Sequence, residues 1–202
     1  MTLFGINSHE RSITVEGPRL SQPDGMRLQD VFPELEEDQS GLFGLEIALQ
    51  ASQPRIDLSY SNCIIELAGN ASSCRFWPAV YGQGTPANGQ VDSPAIALKD
   101  CYQFSSLVVV NSGSLPIEID LSDGQSFTTA ELLNEENSQI SERSVKEFYI
   151  KDSFYQGTQA LEMSWGLMRT RPFSVKKSST EAAYYMLYRD ATTKRPISVV
   201  AL

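Results

Sequence analysis

The feature that most constrains this chain is the recurrence of apolar side chains at every second residue, interrupted by turn-forming residues. The clearest case is residues 116–123, where Ile117, Ile119 and Leu121 alternate with acidic side chains. Successive side chains of a strand point to opposite faces of a sheet, so this pattern is typical of a strand with one buried face. The sequence therefore predicts mainly β structure.

Turn sequences such as Pro23-Asp24-Gly25, Asn88-Gly89 and Asp123-Gly124 separate these apolar runs. The runs are joined by turns and not by the longer helices of parallel βαβ units. One short helix is indicated by the capping-box pattern Thr128-x-x-Glu131. We therefore predict an all-β, mostly antiparallel two-sheet β-sandwich, Ig-like or jelly-roll-like, with about 10–12 short strands and one or two short helices. Since no internal repeat or low-complexity linker divides the chain, residues 1–202 are predicted to form a single domain.

The end of the sequence predicts a hairpin formed by residues 184–189 and 197–202, with residues 190–196 as the turn. A sandwich has outer strands with unpaired backbone groups, and charged residues or proline commonly protect them. We expect this protection to come from Arg189, Lys194, Arg195 and Pro196.

Charge is distributed unevenly along the sequence, which has a formal net charge of −9 over 202 residues. Residues 1–142 hold 6 Lys/Arg against 20 Asp/Glu, a net charge of −14, whereas residues 143–202 hold 10 against 5, a net charge of +5. An acidic surface repels phosphate backbones, so nucleic acid is not an expected partner. The favoured interpretation is that basic C-terminal strands pack beside acidic N-terminal ones, and the alternative is an anion-binding face.

Membrane insertion and secretion leave no signature in the sequence. No apolar run reaches the 18 residues of a membrane-spanning helix, and no basic segment followed by an apolar stretch opens the chain. We expect a soluble protein that is intracellular by default, and the sequence leaves the oligomeric state open.

The single histidine, His9, removes most catalytic mechanisms from consideration. Triads and proton shuttles commonly need an imidazole, and no G-x-S-x-G, G-x-G-x-x-G, P-loop or H-E-x-x-H motif is present. A glycosidase-type mechanism with two carboxylates needs no histidine, and Glu118 and Asp120 share one strand face, although a solvated face is the favoured interpretation of that pair. We therefore expect no catalytic residue, metal or cofactor.

The three cysteines, Cys63, Cys74 and Cys101, lack the paired spacing of a zinc site. Cys63 and Cys74 flank an apparent hairpin turn, so a disulfide between them is a candidate. The alternative is that both are reduced and buried.

Two regions supply candidate binding residues. Trp77 and Tyr81 lead into a glycine-rich loop, the kind of platform with which sandwich domains bind sugars or peptides, although both rings could instead pin the loop. Arg169 and Arg171 share a strand face beside aromatic residues, which suits acidic ligands, although they could instead face the acidic part of the chain.

Together these features favour a non-enzymatic binding or assembly module that recognises glycan or protein through a sheet face or loop end. One alternative is a carboxylate-dependent carbohydrate-active enzyme on a β-sandwich. Another is a structural subunit of a shell, fibre or surface layer.

Overall fold

Strands dominate the structure, a computed structural model that describes residues 2–6, 9–12, 41–47, 61–67, 74–78, 91–122, 129–133, 138–156, 161–163, 166–177, 179 and 182–202. Every strand pair with a defined register in these ranges is antiparallel. The prediction of a mostly antiparallel all-β fold is therefore confirmed.

The chain divides into two compact units. Unit 1 comprises Met1–Gly82 with Arg143–Val145, and unit 2 comprises Gln83–Glu142 with Lys146–Leu202. The assignment of residues 1–202 to a single domain stays a prediction.

Unit 1 contains a five-stranded antiparallel sheet in the order β2-β1-β3-β4-β5. Its strands are β1 (Thr2–Ile6), β2 (His9–Ser12), β3 (Gly41–Ile47), β4 (Ser61–Leu67) and β5 (Cys74–Pro78). Phe4 and Phe43 are buried in it. Phe4 lies opposite Gly44, and a Cβ atom at position 44 would overlap the Phe4 ring, so this close approach requires glycine.

Unit 2 contains two antiparallel ladders that a hairpin connects. The sheet order is β12-β13-β6-β7-β14-β15, with β11 also paired to β7 and β9 to β13, while β8 and β10 pair separately. The elements are β6 (Val91–Lys99), β7 (Gln103–Asn111), β8 (Ile117–Glu118), β9 (Asp120–Ser122), α1 (Thr129–Leu132), β10 (Gln139–Ile140), β11 (Ser144–Tyr149, of which the first two residues belong to unit 1), the 3₁₀ helix η1 (Asp152–Tyr155), β12 (Leu161–Met163), β13 (Gly166–Lys177), β14 (Ala182–Asp190) and β15 (Pro196–Ala201).

One hydrophobic core joins the two ladders of unit 2. Ala97 and Phe173 enter it from the β6–β13 ladder, and Leu107 and Tyr184 enter it from the β7–β14 ladder. Since β6 and β7 share only the register pair Lys99–Phe104, the rest of the two ladders is free to face across this core. Unit 2 therefore packs as a β-sandwich, and the Ig-like or jelly-roll-like topology stays a prediction.

Several local predictions are confirmed. The alternating segment at residues 116–123 buries Ile119 and Leu121 and exposes Glu118, and strands β14 and β15 form the C-terminal hairpin. The capping-box segment forms the single helical turn α1. The described residues form fifteen strands, more than the predicted number, in part because residues 117–122 pair with β10 and β13 in turn and are split into β8 and β9.

Two kinds of feature are absent from the residues that the structure describes. In these ranges no helix has the length and apolar character needed to cross a bilayer. In the same ranges no three His, Cys, Asp or Glu side chains lie together in a way that could hold a metal ion.

Candidate functional site

A cleft of about 720 Å³ opens in unit 2 beside the turn that joins β6 to β7. Its size falls in the range of roughly 300–1,000 Å³ that small-molecule sites occupy. Lysine, aspartate and aromatic side chains dominate its lining: Lys99, Lys151 and Lys194; Asp100 and Asp152; Phe104, Tyr149 and Tyr155.

The cleft lies where the β6–β7 pairing ends. One residue beyond the Lys99–Phe104 pair, the Ser105 hydroxyl replaces a backbone partner, because it accepts from the Leu98 N–H at 2.8 Å and donates to the Leu98 carbonyl at 3.2 Å. The Tyr155 hydroxyl also donates to that carbonyl at 3.3 Å. The backbone N–H and carbonyl groups of Leu98 therefore both have side-chain partners at the point where β6 and β7 separate.

A tight turn fixes one side of the cleft. The Asp100 carboxylate accepts the backbone N–H groups of Tyr102 and Gln103, both at 2.7 Å, and the Asp100 N–H donates to the Gln103 carbonyl at 2.9 Å. This is the local pattern by which aspartate stabilises turns. Asp100 is therefore a structural carboxylate of the cleft wall.

The 3₁₀ helix η1 forms a second wall and is anchored in the core. Phe154 is fully buried edge-on to Phe173, with ring centroids 6.1 Å apart. Arg171 stacks over the Phe154 ring at 4.7 Å and donates to the Phe154 carbonyl at 2.8 Å. This anchoring holds Asp152 at the exposed rim, where its carboxylate pairs with the Lys99 ammonium group.

The β14–β15 turn brings Lys194 to the cleft in an uncommon backbone conformation. Its φ angle is 61°, in the left-handed region that most side chains avoid. Two hydrogen bonds to its backbone groups hold it there, a backbone one from Lys194 N–H to the Asp190 carbonyl at 2.9 Å and a side-chain one from Arg189 Nη1 to the Lys194 carbonyl at 2.7 Å. The ammonium group lies 4.8 Å from the centroid of the Phe104 ring, a cation–π distance.

A largely buried ion pair holds the arginine that stabilises this turn. Arg189 Nε and Nη2 donate to the two carboxylate oxygens of Glu147 at 2.7 and 2.9 Å, and the Ser106 hydroxyl donates to the same carboxylate. The two side chains are 8% and 14% exposed, so little solvent screens them. The expectation that Arg189 protects an outer edge is therefore wrong, because its guanidinium group is committed inside the protein.

Asp190 organises the same turn through its carboxylate. It accepts hydrogen bonds from the Thr193 N–H at 2.7 Å, the Thr193 hydroxyl at 3.0 Å and the Thr192 N–H at 2.9 Å. These bonds, led by the one from the Thr193 backbone, favour the charged form and lower the pKa of Asp190 below its ordinary value. The turn that carries Lys194 is thus pre-ordered at neutral pH.

Tyr155 forms the buried floor of the cleft, with 2% of its surface exposed. Burial is the main cause that raises its pKa from 10.0 to about 12. The phenol is therefore neutral at physiological pH and remains a hydrogen-bond donor. Its hydrogen bond to the Leu98 carbonyl gives the phenol a structural role at the edge of β6.

Two rings form the aromatic wall of the cleft. Phe104 and Tyr149 have centroids 6.0 Å apart and planes tilted by 36°. Tyr149 is 46% exposed, whereas Phe104 is half-buried. A solvent-facing ring beside ammonium groups can contact the apolar face of a ligand while the lysines bind its acidic groups.

The two pairs of binding residues predicted from sequence have different outcomes. Trp77 belongs to β5 of unit 1, and Tyr81 and the conformation of the Trp77 side chain lie outside the described residues. Arg169 and Arg171 both lie on β13, as predicted, but neither lines the cleft, and Arg171 serves as the anchor of η1. Neither arginine is therefore brought to the site described above, and the binding roles of Trp77 and Tyr81 stay predictions.

The predicted cysteine pair is offset in the β4–β5 hairpin. Cys63 lies opposite Pro78, and Cys74 lies opposite Leu67. The two cysteines are therefore four residues apart along the ladder, roughly 13 Å at about 3.3 Å per residue. A disulfide joins Cα atoms no more than about 7 Å apart, so this register does not bring the pair to bonding distance.

Sequence analysis missed the three lysines of the cleft because they come from the β6–β7 hairpin, the segment before η1 and the β14–β15 turn. The excess of basic residues after position 142 was the available signal, although Lys99 precedes that boundary. Neither protein-family models, nor curated proteins, nor solved structures give a match to this chain.

Proposed function

We propose that this chain is a non-enzymatic binding module and that its ligand site is the loop-end cleft of unit 2. The observation that carries the proposal is the convergence of three lysines and an aromatic wall in one cleft, in a chain whose net charge is −9. In an acidic protein, basic side chains gathered at one concave site are typical of ligand recognition.

The rigidity of the walls supports the proposal. The turn at Asp100, the helix η1 and the turn at Lys194 are each fixed by hydrogen bonds to the β-sandwich. A site that is ordered before binding loses little conformational entropy when the ligand arrives.

A carboxylate-dependent enzyme is the second candidate, because Asp100 and Asp152 line the same cleft. Both carboxylates already have partners, Asp100 in the backbone of its own turn and Asp152 in the ion pair with Lys99. A glycosidase needs one of its two acids to deliver a proton to the leaving group. These contacts favour binding over hydrolysis.

The test is a screen of the full chain on arrays of neutral glycans, acidic glycans and peptides, repeated with Tyr149→Ala. The matched control is Tyr102→Ala, because Tyr102 is 59% exposed on the neighbouring turn and does not line the cleft. We expect Tyr149→Ala to weaken array binding at least tenfold and Tyr102→Ala to leave it unchanged.

Four results would count against the proposal. Equal binding by Tyr149→Ala and the parent chain would remove the cleft as the site, and loss on Trp77→Ala alone would move the site to β5. Release of new reducing ends from an array glycan, abolished by Asp152→Asn, would favour the enzyme. Concentration-dependent light scattering without any array binding would favour an assembly subunit.

A further inference from the structure

We infer that the cleft binds an acidic saccharide, a sugar chain bearing carboxylate groups such as a uronic acid oligomer. This inference rests on the proposed binding function and names its ligand class. The juxtaposition that supports it is the set of lysine ammonium groups beside the exposed ring of Tyr149 and the rim carboxylate of Asp152.

The small net charge of the cleft favours ligands whose negative charges are not concentrated. Three ammonium groups and two carboxylates line it, so the lining carries a net charge of +1. A polyphosphate would concentrate several negative charges against Asp100 and Asp152, whereas a uronic acid oligomer carries one carboxylate per sugar ring, so that a single carboxylate can meet this small excess. Lysine is also a point-like donor, and the cleft lining has no arginine fork of the kind that binds phosphate in a bidentate manner.

The Lys99 and Lys194 ammonium groups keep donors for a ligand. Lys194 Nζ donates to the Ala191 carbonyl at 2.8 Å and faces the Phe104 ring, and Lys99 Nζ donates to Asp152. Each ammonium has three N–H groups, of which these hydrogen bonds use one. The Lys99–Asp152 pair at the rim offers both a donor and an acceptor, the combination that sugar hydroxyls need.

The strand edge at the cleft disfavours an extended peptide. Peptides that add a strand to a sheet need unpaired backbone N–H and carbonyl groups on its edge. At Leu98 both groups are taken by Ser105 and Tyr155, and the Ile96 carbonyl accepts the Tyr188 hydroxyl at 3.2 Å. Recognition must therefore come from side chains, which suits a ring with hydroxyl and carboxylate substituents.

The experiment is a calorimetric and amide-NMR titration of the full chain with four probes. These are tri-galacturonic acid, its fully methyl-esterified form, inorganic phosphate and a tripeptide of glutamate. The ester keeps the sugar rings and removes the charge, so it is the matched control for the acidic group.

We expect tri-galacturonic acid to shift amides at residues 99–104 and 149–153 and to bind at least tenfold more tightly than the other three probes. Its affinity should fall as salt rises, because screening weakens the ion pairs. Lys194→Asn, which removes the ammonium group and tolerates the left-handed backbone, should weaken binding at least tenfold. Lys176→Asn, the same change at a residue that does not line the cleft, should not.

Each other outcome overturns the inference in a recognisable way. Equal binding of the ester would leave the cleft as a saccharide site without acid selectivity, so the proposed function would stand. Tighter binding of phosphate or triglutamate would replace the ligand class. Failure of all four probes would overturn the acidic-saccharide assignment, and the array screen would decide the binding function independently.

Discussion

The two edges of strand β7 behave in opposite ways. On one edge β7 pairs with β14 without interruption from Asn111–Ala182 to Gln103–Asp190. On the other edge β7 has two partners in turn, since its register with β6 is limited to the Lys99–Phe104 pair, the Ser105 side chain bonds to β6 at the next residue, and β11 also pairs with β7. The same strand is therefore part of an uninterrupted ladder and of the cleft, which shows how a binding site can open in a sheet without loss of its scaffold.

Burial follows the same contrast. Where β7 pairs with β14, its side chains are buried on both faces of the sheet. Leu107 and Val109 enter the core, and Val108 and Val110 are equally buried on the opposite face. On the β6 side, Ile96 is 54% exposed and the ladder ends in the cleft. We expect the free energy of unfolding to depend mainly on the first edge and ligand binding mainly on the second.

The largest effect should come from Arg189→Ala, which leaves the Glu147 carboxylate buried without its ion-pair partner. Breaking one partner of a buried pair costs about 3–5 kcal/mol, so urea denaturation should show a loss of that size. Lys176→Ala is the control, because its 2.9 Å pair with Asp120 is far more exposed and such pairs contribute at most about 1 kcal/mol. Equal losses in the two variants would refute the buried network.

Alkaline pH should produce the next largest effect through Tyr155. Its folded pKa of about 12 exceeds the unfolded value of 10.0, so its stabilisation is complete below pH 10.0 and is lost as pH rises toward about 12. The shift corresponds to about 3 kcal/mol, measurable by urea denaturation across that range. Tyr155→Phe should flatten this dependence and the exposed control Tyr149→Phe should not; identical curves for Tyr155→Phe and the parent chain would contradict the assignment.

Ser105→Ala tests the opening of β6 from β7 directly. The variant removes the partner of the Leu98 N–H, and an unsatisfied buried backbone group costs about 1–3 kcal/mol. Urea denaturation and the amide exchange rate at Leu98 measure the loss. Ser198→Ala on the exposed face of β15 should be neutral, and the comparison fails if the two serine variants behave alike.

Asp190 should give the smallest effect, confined to the turn that carries Lys194. Because its pKa is lowered in the folded state, its stabilisation is present above the ordinary value of 3.8 and is lost as pH falls through the lower folded value. NMR shifts of the Thr192 and Thr193 amides should report this acid transition, and Asp190→Asn should abolish it. A transition at the ordinary aspartate value would show that the turn hydrogen bonds do not hold in solution.

Local patterns predicted the fold better than they predicted the site. The alternation at Ile119 and Leu121 and the C-terminal hairpin follow from side-chain periodicity and turn chemistry, which act over a few residues. The cleft depends on strand register, which brings Lys99 and Lys194 together although they are distant in sequence. No short motif carries that information, and the cysteine pair shows the same limit, since flanking a turn does not fix the register.

Hydrogen–deuterium exchange of the full chain, with and without tri-galacturonic acid, tests the central contrast most directly. The account predicts that amides of β7 and β14 that pair with each other exchange slowest in both conditions. Amides of residues 97–102 and 149–155 should exchange faster in the free protein and become protected when the trisaccharide is added. Free-protein exchange at residues 97–102 as slow as in β14, or new protection only outside the cleft, would contradict the account.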